Sequence, residues 1–114
     1  MSRDLIITIV NRGFADDVMA AARRAGAYGG TVVHGRGAGA RELNKYLGVN
    51  LHPEKELVLI LTERDKRADI MTAIASDDGL SKDGNGLCFS LPVDAVSGLS
   101  TPGDAITPAP QAEE

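Results

Sequence analysis

The order of its apolar segments is the feature of this 114-residue chain that most limits the fold it can adopt. Four short runs rich in β-branched residues or leucine predict strands at 5–10, 31–34, 56–62 and 87–93. A helical pattern follows the first strand at 14–25, and a second follows the third strand and ends near Ser76. This βαββαβ order predicts an α+β, ferredoxin-like fold, with a four-stranded antiparallel sheet covered by both helices on one face.

The predicted strands carry apolar residues on both of their sides. In the third strand, Leu57, Leu59 and Leu61 alternate with Val58 and Ile60. Because successive side chains of a strand point to opposite faces, both faces of the sheet are expected to be apolar. Two helices on one face leave the other uncovered, so we predict an oligomer that packs through its sheets.

A local motif predicts where the second helix begins. Thr62-Glu63-Arg64-Asp65 resembles a capping box in which Asp stands in the place of Glu. Thr62 is therefore expected to cap the helix with its side chain. At the other helix, Gly26 is predicted to be the C-terminal cap.

Composition argues against several classes of protein. A net charge of −4, 4% aromatic residues and no Trp disfavour nucleic-acid binding, which needs basic patches and stacking surfaces. The single cysteine, Cys88, rules out an internal disulfide and favours a cytoplasmic protein. No apolar run approaches the roughly 20 residues of a membrane-spanning helix. We therefore expect no direct membrane insertion, and membrane contact only through a partner.

Two glycine-rich turns are the candidate binding features. Residues 35–41 (GRGAGAR) follow the second predicted strand, and Gly84-Asn85-Gly86 precedes the fourth. Bare glycine backbone can approach a phosphate closely, and arginine supplies forked donors for it. The first turn also fits the G-x-G-x-x-A dinucleotide pattern, but the chain offers too few elements for a doubly wound sheet. Turns or bulges without a ligand are the alternative interpretation.

The remaining polar residues form no catalytic constellation in the sequence. His34 and His52 lack the spacing of metal ligands, and Cys88 has no activating neighbour. The Asp16-Asp17 and Asp77-Asp78 pairs lie at predicted helix ends, where they interact with solvent and the helix dipole. We therefore expect that the protein is not an enzyme and has no metal site.

Over about residues 4–99 the chain resembles the PII-type nitrogen-regulatory signalling proteins. Residues 84–93 (GNGLCFSLPV) resemble the family's G-D-G-K-I-F-V-x-x-V segment, and residues 31–39 (TVVHGRGAG) resemble its T-V-x-x-V-K-G-F-G segment. Residues 16–18 (DDV) resemble a sequence of its first helix. The resemblance implies a homotrimer that binds adenine nucleotide between subunits. It also implies regulation of a target protein, such as a transporter or an enzyme, through a mobile T-loop, which is several residues shorter in this chain than in the family.

The resemblance also implies boundaries and site residues. Residues 1–99 would form the domain, with 36–55 as the T-loop-like segment. The polar, proline-containing composition from Ser100 onward separately predicts that 100–114 is a flexible tail. The cofactor would be AMP, ADP or ATP, with Mg only if ATP is bound. The implied nucleotide-binding residues are Gly29 and Thr31 at the base, Gly37, Gly39, Gly84, Asn85 and Gly86 at the phosphates, and Arg41 and Lys82 as sources of charge.

The chain departs from the family pattern at charged positions. Leu87 stands where the family has a lysine, Arg41 stands where it has a glutamine, and no Arg or Lys follows Ser100. These departures predict weaker phosphate affinity, or a nucleotide with fewer phosphates, and bring 2-oxoglutarate binding into question. Two alternatives stay open: a structural or metal-responsive trimer without nucleotide, and a small nucleotide hydrolase.

Overall fold

The computed structural model describes residues 2–38, 54–76, 80 and 86–98. The elements are β1 (Arg3–Asn11), α1 (Ala15–Arg24), β2 (Thr31–Arg36), β3 (Glu54–Glu63), α2 (Arg64–Ser76) and β4 (Leu87–Val93). The predicted order is confirmed, and three of the strands extend up to two residues beyond their predicted ends. Most of the T-loop-like segment, residues 39–53, and the tail from residue 99 lie outside the described residues.

The four strands form one antiparallel sheet in the order β2-β3-β1-β4. The central strand β1 pairs with β3 through Ile7 opposite Leu59, and with β4 through Ile7 opposite Phe89. The edge strand β2 pairs with β3 through Thr31 opposite Leu59. Together with the two helices, this sheet is the α+β, ferredoxin-like fold that the sequence predicts.

Charges and backbone geometry at its two ends hold helix α1 in place. Glu56 of β3 accepts hydrogen bonds through Oε1 from the backbone N–H groups of Gly13 and Ala15, both at 3.1 Å. A carboxylate at this end also interacts favourably with the helix dipole. At the other end Ala25 is the cap residue, and Gly26 follows it with φ +113°, a left-handed conformation that glycine adopts without strain. Gly26 thus lies one residue beyond the cap position predicted for it.

The predicted cap of α2 is wrong. Thr62 belongs to β3, and its hydroxyl donates to the carbonyl of Glu63 at 3.2 Å rather than accepting from a helix N–H. The helix begins directly after the strand, at Arg64, whose backbone N–H donates to the carbonyl of Ser2 at 3.0 Å. A contact with the start of β1 therefore replaces the local cap.

A buried carboxylate strengthens the same junction. Asp4 of β1 is 1% exposed and accepts hydrogen bonds from Arg64 Nη2 and Arg67 Nη1, each at 2.9 Å. Both arginines lie in the first turn of α2. Charge-assisted bonds of this kind are stronger than neutral ones, so Asp4 fixes α2 against the sheet.

The two faces of the sheet differ in how they are covered. On the helix side, the core is formed by side chains that are at most 1% exposed: Ile6, Val10, Val18, Ala21, Ala22, Val58, Ile60, Ile70 and Ile74. We call the other side the open face; it carries Leu5, Ile7, Ile9, Val33, Leu57, Leu59, Leu61, Leu87, Phe89 and Leu91. Three of its residues on β4 stay exposed, from Phe89 at 37% to Leu87 at 58%. Both faces are apolar, as predicted.

Candidate functional site

Four of the predicted nucleotide-binding residues lie in the described part of the chain. Gly29 and Thr31 are at the start of β2, Gly37 follows its end, and Gly86 precedes β4. The other five lie outside the described residues: Gly39, Arg41, Lys82, Gly84 and Asn85. Their assignments stay predictions.

The four described residues do not lie together in one copy: Gly29 and Thr31 are at the start of β2, and Gly37 and Gly86 lie towards the end of the sheet where β2 stops. Thr31 and Gly37 are separated by a strand, which spans about 20 Å at 3.3 Å per residue. Leu87 pairs with Ile9 at the end of the sheet where β2 stops, so Gly86 lies at the same end as Gly37. Gly37 and Gly86 are nevertheless on different edge strands, β2 and β4, with β3 and β1 between them. One copy of the chain therefore does not bring all four residues together.

Gly86 is a glycine for a packing reason. A Cβ atom there would lie 2.8 Å from both the Ile9 carbonyl oxygen and Val10 Cγ1, and would also clash with Leu80. Its N–H donates to the Leu80 carbonyl at 3.4 Å. The missing side chain lets β4 approach β1 closely.

Gly29 and Thr31 border a cavity of about 470 Å³ at the opposite end of the sheet. Its floor is formed by Leu5, Leu59 and Leu61 of the open face. The volume is in the range of pockets that hold small ligands, and an apolar floor with a few polar groups is typical of them. The structure thus brings together the two residues predicted for the base end of the site.

Three charged residues of this cavity were missed by the sequence analysis: Arg3, Glu63 and Lys66. Arg3 is 5% exposed, and its Nη1 has no hydrogen-bond partner among the described residues. Such a buried, unsatisfied charged donor costs roughly 1–3 kcal/mol or more. The alternation of side chains along a strand could have revealed Arg3, since it places Arg3 on the same side of β1 as Leu5 and Ile7.

Lys66 forms the rim of the same cavity. Its Nζ lies 4.9 Å from the centroid of the Tyr28 ring, within the range of a cation–π contact. Tyr28 is 58% exposed, so the contact is at the surface. The cavity therefore carries two cations, one buried and one at its mouth.

A second group of charges lies at the other end of β2. Arg12, His34, Arg36 and Glu54 border a shallow pocket next to Gly37. Arg12 Nη1 and Glu54 Oε1 form an exposed ion pair at 2.6 Å, and His34 Nδ1 lies 3.9 Å from Glu56 Oε2. Arg36 is exposed beside Gly37. The root of the T-loop-like segment is thus a polar, charged surface.

Cys88 lies on the helix side of β4, next to Thr8 of β1. Desolvation by burial raises the pKa of its thiol, and the weaker opposing effect is the hydrogen bond that Thr8 Oγ1 donates to Sγ at 3.5 Å. The thiol is therefore protonated at neutral pH, which does not suit a nucleophile.

The described segments contain neither a cluster of metal ligands nor a membrane-spanning helix. There, no group of three or more His, Cys, Asp or Glu side chains converges on a point where a metal ion could bind. In the same segments no helix is both long and apolar enough to cross a membrane.

Comparisons with known proteins agree with this architecture. The chain is similar in structure to Arabidopsis thaliana PII bound to citrate, with a TM-score of 0.64 and 22% identity over 83% of this chain and 78% of that one. It is also similar to a putative PII-like signaling protein from Thermus thermophilus, with a TM-score of 0.62 and 12% identity over 82% and 87% of the two chains. No curated protein sequence matches it significantly. The family model for nitrogen regulatory protein P-II matches residues 3–102, and the chain therefore belongs to the P-II family of signalling proteins.

Proposed function

We propose that this P-II family protein is a homotrimeric sensor of adenine nucleotide in the cytoplasm. The nucleotide binds in clefts between subunits, and the T-loop-like segment at 36–55 carries the signal to a target protein. The target protein is a membrane transporter or an enzyme. The protein acts by binding, not by catalysis.

The observation that carries this proposal is the separation of the described site residues. Gly29 and Thr31 lie about 20 Å along β2 from Gly37, which is further than a mononucleotide places its phosphates from its base. A single copy therefore cannot use both ends of its sheet for one ligand. A cleft in which one copy contributes Gly37 and a second contributes Gly29 and Thr31 resolves this separation.

The open face supports the assembly. Its apolar residues on β4, among them Phe89 and Leu91, are more than a third exposed in the single chain. Exposed apolar surface of this extent marks an interaction site. A closed trimer would bury the open face of each copy against those of its neighbours.

Signalling requires that the nucleotide change the conformation of the 36–55 segment. Ordering backbone costs about 1–2 kcal/mol per residue, so a ligand can drive it only through contacts that exist in the ordered state alone. Gly37, Gly39 and Arg41 lie in the segment that would provide such contacts. Because no Arg or Lys follows Lys82, AMP or ADP is favoured over ATP.

Isothermal titration calorimetry tests the proposal. The full chain at about 100 μM, a concentration that detects binding of about −5.5 kcal/mol, is titrated with AMP, ADP, cyclic AMP, and ATP with and without Mg²⁺. We expect heat from AMP or ADP and one site per subunit. Gly37→Val should abolish it, because a branched side chain blocks the approach of the backbone to a phosphate. Ala20→Val, a change of similar size at an exposed position of α1, is the matched control and should bind as the wild type does.

The outcomes separate the alternatives. No heat from any nucleotide, together with a trimeric mass in light scattering, would favour the structural or metal-responsive trimer. Slow nucleotide turnover that is lost in Lys82→Ala and Arg41→Ala would favour the hydrolase. A monomeric mass at all concentrations would contradict the site between subunits.

A further inference from the structure

The buried guanidinium of Arg3 is the feature of the fold that the proposed function leaves unexplained. Arg3 lines the cavity at the Gly29–Thr31 end of the sheet, together with the leucine floor and Lys66. We call this the Arg3 cavity. We propose that the Arg3 cavity binds the anionic group of a small organic ligand and that the Arg3 guanidinium is its ion-pair partner. The proposal deepens and rests on the proposed function: Gly29 and Thr31, which are predicted to border the base, line the same cavity, and Arg3 would meet the anionic group of the same ligand beside it.

No group of the described segments accepts a hydrogen bond from Arg3 Nη1. Asp4, the next residue, points to the other face and is bound by Arg64 and Arg67. Glu63 is opposite Arg3 in the β1–β3 ladder, yet the two form no ion pair. Arginine cannot lose its charge by deprotonation in a protein, so a buried guanidinium needs an acceptor. The acceptor must come from a ligand or from protein outside the described residues.

The charges around the cavity favour a ligand anion as the acceptor, because two cations, Arg3 and Lys66, line it beside one carboxylate, Glu63. Residues 83–114 contain no Lys or Arg, so β4 and everything after it supply no positive charge. Val93 at the end of β4 lies opposite Arg3. The positive charge at this end of the sheet therefore comes from Arg3 of β1 and Lys66 of α2, and the Glu63 carboxylate of β3 lies in the same lining.

The shape of the cavity indicates the class of ligand. A volume of about 470 Å³ above Leu5, Leu59 and Leu61 accommodates an apolar or ring-shaped body as well as one anionic group. Both phosphate and carboxylate accept the forked hydrogen bonds of arginine. The anionic group therefore belongs either to a phosphorylated molecule such as a nucleotide or to a small organic acid.

The test uses the full chain and three probes: ADP, inorganic phosphate and citrate. Their affinities are measured by calorimetry for the wild type, Arg3→Gln and Arg3→Lys. We expect Arg3→Gln to weaken the probe that binds by at least about tenfold, the effect of losing one charge-assisted hydrogen bond. Arg3→Lys should recover part of it. Arg23→Gln, which removes an exposed arginine of α1, is the matched control and should bind like the wild type.

The arms distinguish the sources of the anion. Loss of ADP binding in Arg3→Gln assigns the cavity to a phosphorylated ligand, and loss of citrate binding alone assigns it to an organic acid. ADP binding that is the same in Arg3→Gln and wild type overturns the Arg3 proposal and leaves the nucleotide function standing. Citrate binding that depends on Arg3, without any nucleotide binding, supports the Arg3 proposal and overturns the nucleotide function.

Two further results would also overturn the proposal. If no probe binds the wild type, the cavity is not an anion site. If Arg3→Gln lowers the oligomeric mass while the bound probe keeps its affinity, the partner of Arg3 is a carboxylate of a second copy. Should Arg3→Gln fail to fold, Lys66→Gln provides the second variant. It should weaken the same probe by about threefold or more, since a half-buried charge at the rim of the cavity contributes less than the buried Arg3.

Discussion

The two faces of the sheet are built from the same strands but reach different states. Ile6 and Ile7 are neighbours in β1, and Ile6 is fully buried under the helices while Ile7 is only half-buried on the open face. The charges before them divide in the same way. Asp4 on the helix side is held by two arginines, and Arg3 on the open face has a buried nitrogen without a partner in the described part of the chain. The helix side is complete in one copy of the chain, and the open face is not.

The difference teaches where this protein is stabilised and where it binds. Burying an apolar side chain stabilises a fold by about 1.5–3 kcal/mol, and on the helix side this burial is already complete within one chain. The side chains of the open face gain the same stabilisation only if a further copy or a ligand covers them. Substitutions on the helix side should therefore change mainly the stability of the fold, and substitutions on the open face should change mainly binding.

The largest effect should come from truncating matched isoleucines on the two faces. Ile6→Ala should lower the free energy of unfolding by about 2–5 kcal/mol, through lost burial and the cavity left behind. Ile7→Ala should cost less, about 1 kcal/mol in dilute solution, because Ile7 is only half-buried on the open face. Urea unfolding at several protein concentrations measures both.

The dependence of the unfolding free energy on protein concentration tests this comparison more directly. If copies cover the open face, the loss caused by Ile7→Ala should grow with protein concentration, because oligomerisation stabilises the folded state by mass action. The loss caused by Ile6→Ala should not. Equal losses for the two variants at every concentration would contradict the division between the faces.

A smaller effect is expected at the edge between the faces, where two glycines are adjacent. A Cβ on Gly30 would lie 2.9 Å from both the Leu59 carbonyl oxygen and Met19 Sδ, whereas a Cβ on Gly29 would meet nothing within 4 Å. Gly30→Ala should therefore destabilise the fold by about 1–3 kcal/mol through overpacking. Gly29→Ala, the matched control, should change stability by less than about 0.5 kcal/mol. Thermal unfolding measures both, and a stable Gly30→Ala would show that β2 can move away from the core.

The smallest effect concerns the pH dependence of the helix side. Burial raises the pKa of the Cys88 thiol, so the folded state keeps this proton to a higher pH than the unfolded state does. The stability from this group is complete below the ordinary thiol pKa and declines as the pH rises from that value through the raised one. The difference in unfolding free energy between wild type and Cys88→Ala should show that decline. A difference that is constant with pH would contradict the burial of the thiol.

Local patterns predicted the elements but not their junctions. The four strands, both helices and the two apolar faces follow from residue type and period, which depend on near neighbours in the chain. The cap of α2 was predicted wrongly from Thr62 because the helix start depends on Asp4, 60 residues away in the chain from Arg64. A capping motif carries no information about such a contact.

The candidate site divides in the same way. Gly37 and Gly86 were selected from the two glycine-rich turns, and Gly29 and Thr31 were added with the resemblance to the family; neither signal contains the distances between them. Arg3 was missed because an arginine just before an apolar strand has the pattern of an exposed chain end. Only the pairing of β1 with β3 and β4 encloses it.

The sequence by itself determined the order of the elements, the apolar character of both sheet faces and the location of the glycine-rich turns. These properties depend on the residues of one segment, so they can be read without knowing how segments meet. The tertiary structure decided which face the helices cover, why Gly86 has no side chain and how far apart the two ends of the site lie. It also buried Arg3 beside a cavity. Each of these depends on register between strands distant in sequence, and a shift of one residue would exchange the two faces.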